Sequence, residues 1–455
     1  MNIGSVHRFF AILLLAGVAA ISSNATTDSW RGKLSLSPSQ ALTIGINITD
    51  RGTAQENITF DSPDQNAYGI QAEKIYLSSD SINITIAKIG ASFSGSILPD
   101  SIKGIFRQGP YKFPVTLTPW AGNQRPQTPR PPFPYSEREV KFQGGAPDVM
   151  LAGTLVLPSN PAPRNPAVIM VTGSGQQNRD EELFDHKPFA VIADYLARKG
   201  VASLRYDDRG YAASTGDISS MTTADVAADA KAALAYLRSQ PGIGSAGVIG
   251  HSEGASVAIL LSDKNSDSRA DFIVAIAPPA VRGDSILADQ NRTIMLRQGI
   301  QAATVDKYVA ALHTLYADLA KGSSPADPQQ YIARIFPGAD TDMLNKALAA
   351  NLTKILSDAN PWLIYFASFS PAQSLASIGA PALLIYGSKD TQVTSPLNIE
   401  AARRNASSYA DIRLFDGLNH MMQHAVTGEV AEYAAIDETM APEILEAIAD
   451  YILKR

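Results

Sequence analysis

Ser252 stands in the stretch Gly250-His251-Ser252-Glu253-Gly254, which fits the pattern G-x-S-x-G. A serine hydroxyl is a poor nucleophile until a neighbouring base takes its proton, so a base and a group to orient it must be sought elsewhere in the chain. The histidines are His7, His186, His251, His313, His420 and His424. His7 lies in the N-terminal segment, and His313 falls in a helical pattern. His251 adjoins the serine on a tight turn and is expected to point away from it as a bystander. His420 and His424 follow the last apolar strand, and His420, the nearer to that strand, is the expected base. His424 is expected to cap or pack in the following segment. Asp390, leaving the preceding strand through Tyr386-Gly387-Ser388-Lys389-Asp390, is the expected orienting acid; Asp416 is the alternative, but sits too near His420 in sequence to aim easily at the far ring nitrogen.

Nucleophilic attack on an acyl carbon also needs donors for the developing oxyanion. The pattern assigns one to the backbone amide of Glu253, after the nucleophile, and another to the loop Thr172-Gly173-Ser174-Gly175, with Ser174 first and Gly175 next. Three further groups carry acidic or aromatic side chains near these loops or in the helical segment. Asp207-Asp208-Arg209 is expected to form an internal ion pair that holds its loop. Asp180-Glu181-Glu182 reads as a solvated helix start, with reception of a substrate ammonium as the alternative. Trp362, Tyr365, Phe366 and Phe369 read as core, some of them available to line a pocket.

These groups need a scaffold that gathers strand ends. Non-alternating apolar runs at 167–172, 201–206, 246–250, 272–277, 382–386 and 412–415 predict buried strands of a parallel sheet. Helical patterns at 190–198, 224–238, 252–261 and 442–453 lie between or after them. Together they predict a doubly wound α/β sheet over 136–455, covered on both faces. Helical patterns without strands from about 284 to 373 predict a cap over the carboxyl edge of that sheet. Ahead of it, alternation at Ile44, Ile46, Ile48 and at Ile82, Ile84, Ile86 predicts a small antiparallel β domain over 26–118 with one wet face. The proline-rich stretch 119–135 predicts an extended linker.

Composition narrows the classes. The net charge is −6, and no run of Lys or Arg would track a phosphate backbone, so nucleic acid is not expected as a partner. The chain has no cysteine, which excludes disulfides, thiolate metal ligands and a cysteine nucleophile. Residues 1–25 combine Arg8, an apolar stretch from Phe9 to Ile21 and small residues Ser23 and Ala25, which predicts a cleaved secretory signal peptide. That stretch is shorter than the about 20 residues a membrane span needs, and no later segment reads as one.

The segments "TGSGQQNRDEELFDHKPFAVIADYLARKGVASLRYDDRGYAASTG", "GHSEG", "YGSKDTQV" and "GLNHMMQHAVTG" resemble the bacterial α/β-hydrolases grouped with serine aminopeptidase-like hydrolases and esterases. The region with "WRGKL" and "DSPDQ" is similar to the amino-terminal domain often found before them. Tyr211-Ala212-Ala213-Ser214 and Ala255 depart from the usual glycine-containing forms. The resemblance implies an α/β-hydrolase fold, a nucleophile at Ser252, an acid at Asp390, a base at His420 and an oxyanion donor in the 173–175 loop. The expected activity is that of a serine hydrolase cleaving carboxylic esters, without cofactor or metal, on a small ester or short peptide, in the bacterial periplasm or secreted. A proline iminopeptidase-like aminopeptidase of the same fold is the alternative; a non-catalytic envelope-binding protein is the third.

Overall fold

The alternation of isoleucines near the N-terminus closes into a barrel. A computed structural model describes residues 27–37, 40–62, 67–120, 125–159, 164–323 and 325–455; the expected signal peptide lies outside them. The barrel strands are β1 (Thr27–Ser37), β2 (Gln40–Thr49), β3 (Asn57–Ser62), β4 (Ala67–Leu77), β5 (Ser81–Ile86), β6 (Ala91–Leu98), β7 (Ser101–Gln108) and β8 (Tyr111–Pro119). Each pairs antiparallel with the next, and β8 returns to β1 at Trp30 and Arg31. Side chains such as Ile46, Ile84, Phe93 and Leu117 fill the interior, while intervening residues face outward. The expected β domain with one wet face is thus a closed barrel, in which the first and last strands pair with each other instead of forming two open edges. Alternation marks which residues turn inward, but closure depends on β1 meeting β8, far apart in sequence.

The second unit comprises Arg125–Glu432 and Ile436–Arg455. The expected linker is not extended spacer throughout: β8 runs to Pro119, and from Arg125 the chain is fastened to the second unit. The Arg125 guanidinium donates to the carbonyls of Phe184 and Ile436, and Gln127 brackets the backbone of Thr439 and Met440. Proline-rich backbone has no hydrogen bonds of its own, which leaves such polar side chains to tie it to a neighbouring surface.

Within this unit lie β9 (Tyr135–Gln143), β10 (Met150–Pro158), β11 (Asn165–Val171), β12 (Ala202–Tyr206), β13 (Ile243–His251), β14 (Ile273–Ile276), β15 (Ala382–Gly387) and β16 (Ala410–Phe415), in the sheet order β16-β15-β14-β13-β11-β12-β10-β9. From β16 to β12 all pairings are parallel; β10 and β9 add an antiparallel edge. The helices are α1 (Pro188–Arg198), α2 (Thr223–Arg238), α3 (Glu253–Leu260), α4 (Gly283–Arg297), α5 (Ala302–Ala320), α6 (Pro328–Ile335), α7 (Met343–Ser357), α8 (Pro361–Ser368), α9 (Ala372–Ala376), α10 (Ser395–Asn405), α11 (Val430–Tyr433) and α12 (Pro442–Ile452).

Ile169 and Val248 pack toward α2 and α3, whereas their neighbours Val168 and Ile249 pack toward α1 and α12. Burial on both faces is why these strands are uniformly apolar, and each fully buried aliphatic side chain contributes about 1.5–3 kcal/mol. The edge strand β9, YSEREVKFQ, is mostly exposed and charged, so its sequence carries no such signal. Helices α4 to α8 sit between β14 and β15 as the expected cap, with a core of their own around Tyr308, Leu312, Leu315 and Leu352. Among the described residues no helix is long and apolar enough to cross a membrane.

Candidate active site

The carboxyl ends of β11, β13, β15 and β16 lie along one edge of the sheet, with β14 between β13 and β15, and each delivers one expected group. Ser252 occupies the turn between β13 and α3 with φ 54° and ψ −115°, a left-handed conformation costly for a residue with a side chain. The turn is possible because its flanks are glycines. A Cβ at Gly250 would lie 2.0 Å from the carbonyl oxygen of Gly254, and one at Gly254 would lie 2.2 Å from that of Val171. The Ser252 amide is held by the carbonyl of Ile276 at 2.8 Å, which fixes the turn to the neighbouring strand.

His420 and Asp390 meet beyond β16 and β15. His420 Nδ1 is 2.7 Å from Asp390 Oδ2, both residues being buried. The other carboxylate oxygen accepts from the amides of Gln392 and Val393, at 2.8 Å each. The loop carrying His420 is stiffened by Asn419 and Gln423, whose buried side chains and backbones bond reciprocally. It approaches β15 closely at Gly387, where a Cβ would lie 2.3 Å from the Leu418 carbonyl oxygen. Among the described residues no hydrogen bond joins Ser252 Oγ to His420; bonds of this kind often align only with substrate in place. Asp416 is engaged elsewhere, accepting from Ser388 Oγ at 2.7 Å, and His424 is exposed and paired with Glu438 and Glu443.

Gly173 lies against the nucleophile, and a Cβ there would be 3.4 Å from that of Ser252. Its amide is already spent on Glu181 Oε1, at 2.7 Å. Among the described residues the amides of Ser174 and Glu253 donate to no acceptor, which leaves both available.

Several side chains depart from expectation. Asp180 and Glu181 are not a solvated helix start. Asp180 pairs with the buried Arg205, and Glu181, with φ 53° and only 5% exposed, turns inward to Gly173 and His251. Nor is His251 a bystander. Its Nδ1 is 2.9 Å from Glu181 Oε1 and its Nε2 is 3.0 Å from the His420 carbonyl oxygen. Burial pulls the His251 pKa down, but the charge and hydrogen bond of Glu181 outweigh it, and the net shift is upward. The adjacent histidine and the acidic run were visible in sequence; that one turns to the other across the sheet edge was not.

Asp207 and Arg209 hold their loop by ion pairs, Arg179 to Asp207 at 2.8 Å and Arg209 to Asp229 at 2.7 Å. Asp208 instead takes the Thr172 hydroxyl and the Gln177 amide, so it braces the loop that carries Ser174. Burial pushes its pKa up to about 8 against those two bonds, with the charges of Glu181 and Glu253 adding to the rise. The Glu253 side chain accepts from Thr223 Oγ1 at 2.6 Å and from Trp362 Nε1 at 3.0 Å, which ties the nucleophile's helix to cap helix α8. Between Trp362, Asp208 and the oxyanion loop remains a cavity of about 20 Å³, room for about one water. Among the described residues no cluster of three metal-ligating side chains is present.

Comparison with known proteins supplies the context. The family described as serine aminopeptidase, S33, matches residues 186–425. Esterase EstD of Thermotoga maritima is 25% identical over 299 residues, 66% of this chain; the chain spans 62% of that esterase's length. Among solved structures, the Pyrococcus furiosus esterase Pf2001 has 18% identity and a TM-score of 0.40, covering 70% of this chain and 93% of its own. Proline iminopeptidase of Mycobacterium smegmatis has 17% identity and a TM-score of 0.43, covering 70% and 98%.

Proposed function

The chain belongs to the serine aminopeptidase S33 family, and we propose that it is an exported serine hydrolase that cleaves carboxylic esters through an acyl-enzyme. The observation that carries this reading is the buried pair of His420 and Asp390 at 2.7 Å, at the same sheet edge as the strained Ser252. Ser252 Oγ attacks the acyl carbon as His420 Nε2 takes its proton, and Asp390 holds the Nδ1–H and stabilises the imidazolium that forms. The amides of Ser174 and Glu253 receive the oxyanion. The alcohol leaves with the proton from His420, and water then repeats the sequence on the acyl-serine. Export rests on the composition of residues 1–25, and sequencing the mature amino terminus tests it. Ser252→Ala is expected to abolish hydrolysis of p-nitrophenyl acetate and labelling by a fluorophosphonate; wild-type turnover by that variant would remove the nucleophile from the scheme.

Cleavage of an aminoacyl bond by the same machinery is favoured by one observation. The Glu253 carboxylate is buried beside the nucleophile and, among the described residues, accepts only from the neutral donors Thr223 and Trp362, so a substrate ammonium would complete its charge. Comparing aminoacyl amides with unsubstituted acyl esters decides between the two, since only an aminopeptidase requires the free amine.

A further inference from the structure

His251 is held between two oxygens, and the chemistry of those oxygens sets its protonation. The His420 carbonyl can only accept, so the hydrogen of that 3.0 Å contact is on His251 Nε2. A neutral imidazole then has a bare lone pair on Nδ1, and Nδ1 faces Glu181 Oε1 at 2.9 Å. A proton must lie in that contact as well. The same oxygen accepts the Gly173 amide at 2.7 Å, which favours the carboxylate anion and leaves the proton on the ring. His251 is therefore an imidazolium donating in both directions. The groups facing it are Glu181 from the loop after β11, Asp390 from the loop after β15, and the His420 ring, whose centroid lies 4.7 Å away.

The chain Gly173–Glu181–His251–His420 spans three loops: the oxyanion loop, the nucleophile turn and the loop of the base. We propose that Glu181 and His251 are positioning residues that set the spacing of these loops through one ionic hydrogen bond, so that the alignment of His420 on Ser252 depends on the proton that they share. This rests on the reading of Ser252 and His420 as nucleophile and base. It assigns a role to the residue between Gly250 and Ser252 that the nucleophile turn alone does not require. The dependence has a sign: at alkaline pH His251 loses the Nδ1 proton, lone pair faces carboxylate, and the link opens. Glu181→Gln withdraws the charge that holds the proton, so the opening moves to lower pH.

The test uses the full chain. Nitrogen-15 NMR of the histidine rings reads the proton directly and needs no turnover. Wild type is expected to show His251 protonated on both nitrogens at pH 7, and Glu181→Gln to show a neutral ring. In ester hydrolysis, His251→Phe, which has no donor, is expected to lose kcat by up to about 100-fold with KM within about twofold, because misalignment of a reacting group by a fraction of an ångström acts on the chemical step. His251→Gln, which retains an N–H toward the His420 carbonyl, is expected to recover much of that loss. The alkaline fall of kcat/KM is expected at lower pH in Glu181→Gln than in wild type. A neutral His251 ring in wild type at pH 7 overturns the proposal, as do equal kcat values for the Phe and Gln variants with only their melting temperatures lowered. Ser252→Ala run in parallel separates the two readings: if that variant still turns over, the nucleophile assignment has failed, while the NMR result still decides the protonation of His251.

Discussion

Asp390 holds His420 with one carboxylate oxygen while two backbone amides occupy the other. This division decides what Asp390→Asn does. The amides of Gln392 and Val393 require an oxygen, so the new NH2 group must face His420 Nδ1 and donate to it. The ring is then forced to carry its hydrogen on Nε2 and cannot accept from Ser252. We expect kcat to fall by about 10⁴-fold, with KM and circular dichroism little changed, measured on p-nitrophenyl acetate.

Gly254 brings the nucleophile's helix hard against the end of β11. A Cβ there meets the backbone oxygens of Val171 and Thr172 at 2.2 and 2.5 Å, and backbone cannot give way as a side-chain tip can. Gly254→Ala is expected to cost about 2 kcal/mol or more and to lower the melting temperature by several degrees. The folded fraction should react more slowly with a fluorophosphonate, since α3 must move and Ser252 moves with it.

The Trp362 indole N–H bridges to both oxygens of the buried Glu253 carboxylate. Trp362→Phe retains a ring and removes the donor, leaving Thr223 as the remaining side-chain partner among the described residues. A loss of about 1–3 kcal/mol is expected, read as a lowered melting temperature. Amide exchange in α8 should quicken, because this bond ties α8 to the nucleophile's helix. The cavity that Trp362 lines has room for only about one water, so esters with longer acyl chains should gain relative to acetate as the cap loosens.

Asp208 makes stability depend on pH. Its folded pKa, about 8, stands well above the about 3.9 of an unfolded aspartate, so the folded state keeps a proton that the unfolded state releases. Stability is accordingly fullest below about pH 4, is lost progressively as pH rises through the window to about 8, and levels off above it. Asp208→Asn places an NH2 where the acid would carry its proton, toward Thr172, and keeps an oxygen for the Gln177 amide. The variant should melt higher than wild type at pH 9, with the difference shrinking toward pH 4, as followed by calorimetry.

Local patterns carried much of this far. The strand-turn-helix around Ser252 is legible because apolar runs, flanking glycines and helical periodicity are written within a few residues of one another. The order of Ser252, Asp390 and His420 is legible because parallel strands place each following loop at one edge of the sheet. The alternating isoleucines of the barrel likewise state which side chains turn inward. What the chain does not write locally is pairing across long separations. Glu181 and His251 lie 70 residues apart and His251 and His420 lie 169 apart, and their contacts exist only because β11, β13 and β16 end at the same edge. Barrel closure, the docking of Arg125 and the bond from Trp362 to Glu253 are of the same kind. A carboxylate beside polar neighbours in sequence reads as solvated; whether it is buried against an imidazole is decided by the fold, which sets both its exposure and the charge it meets.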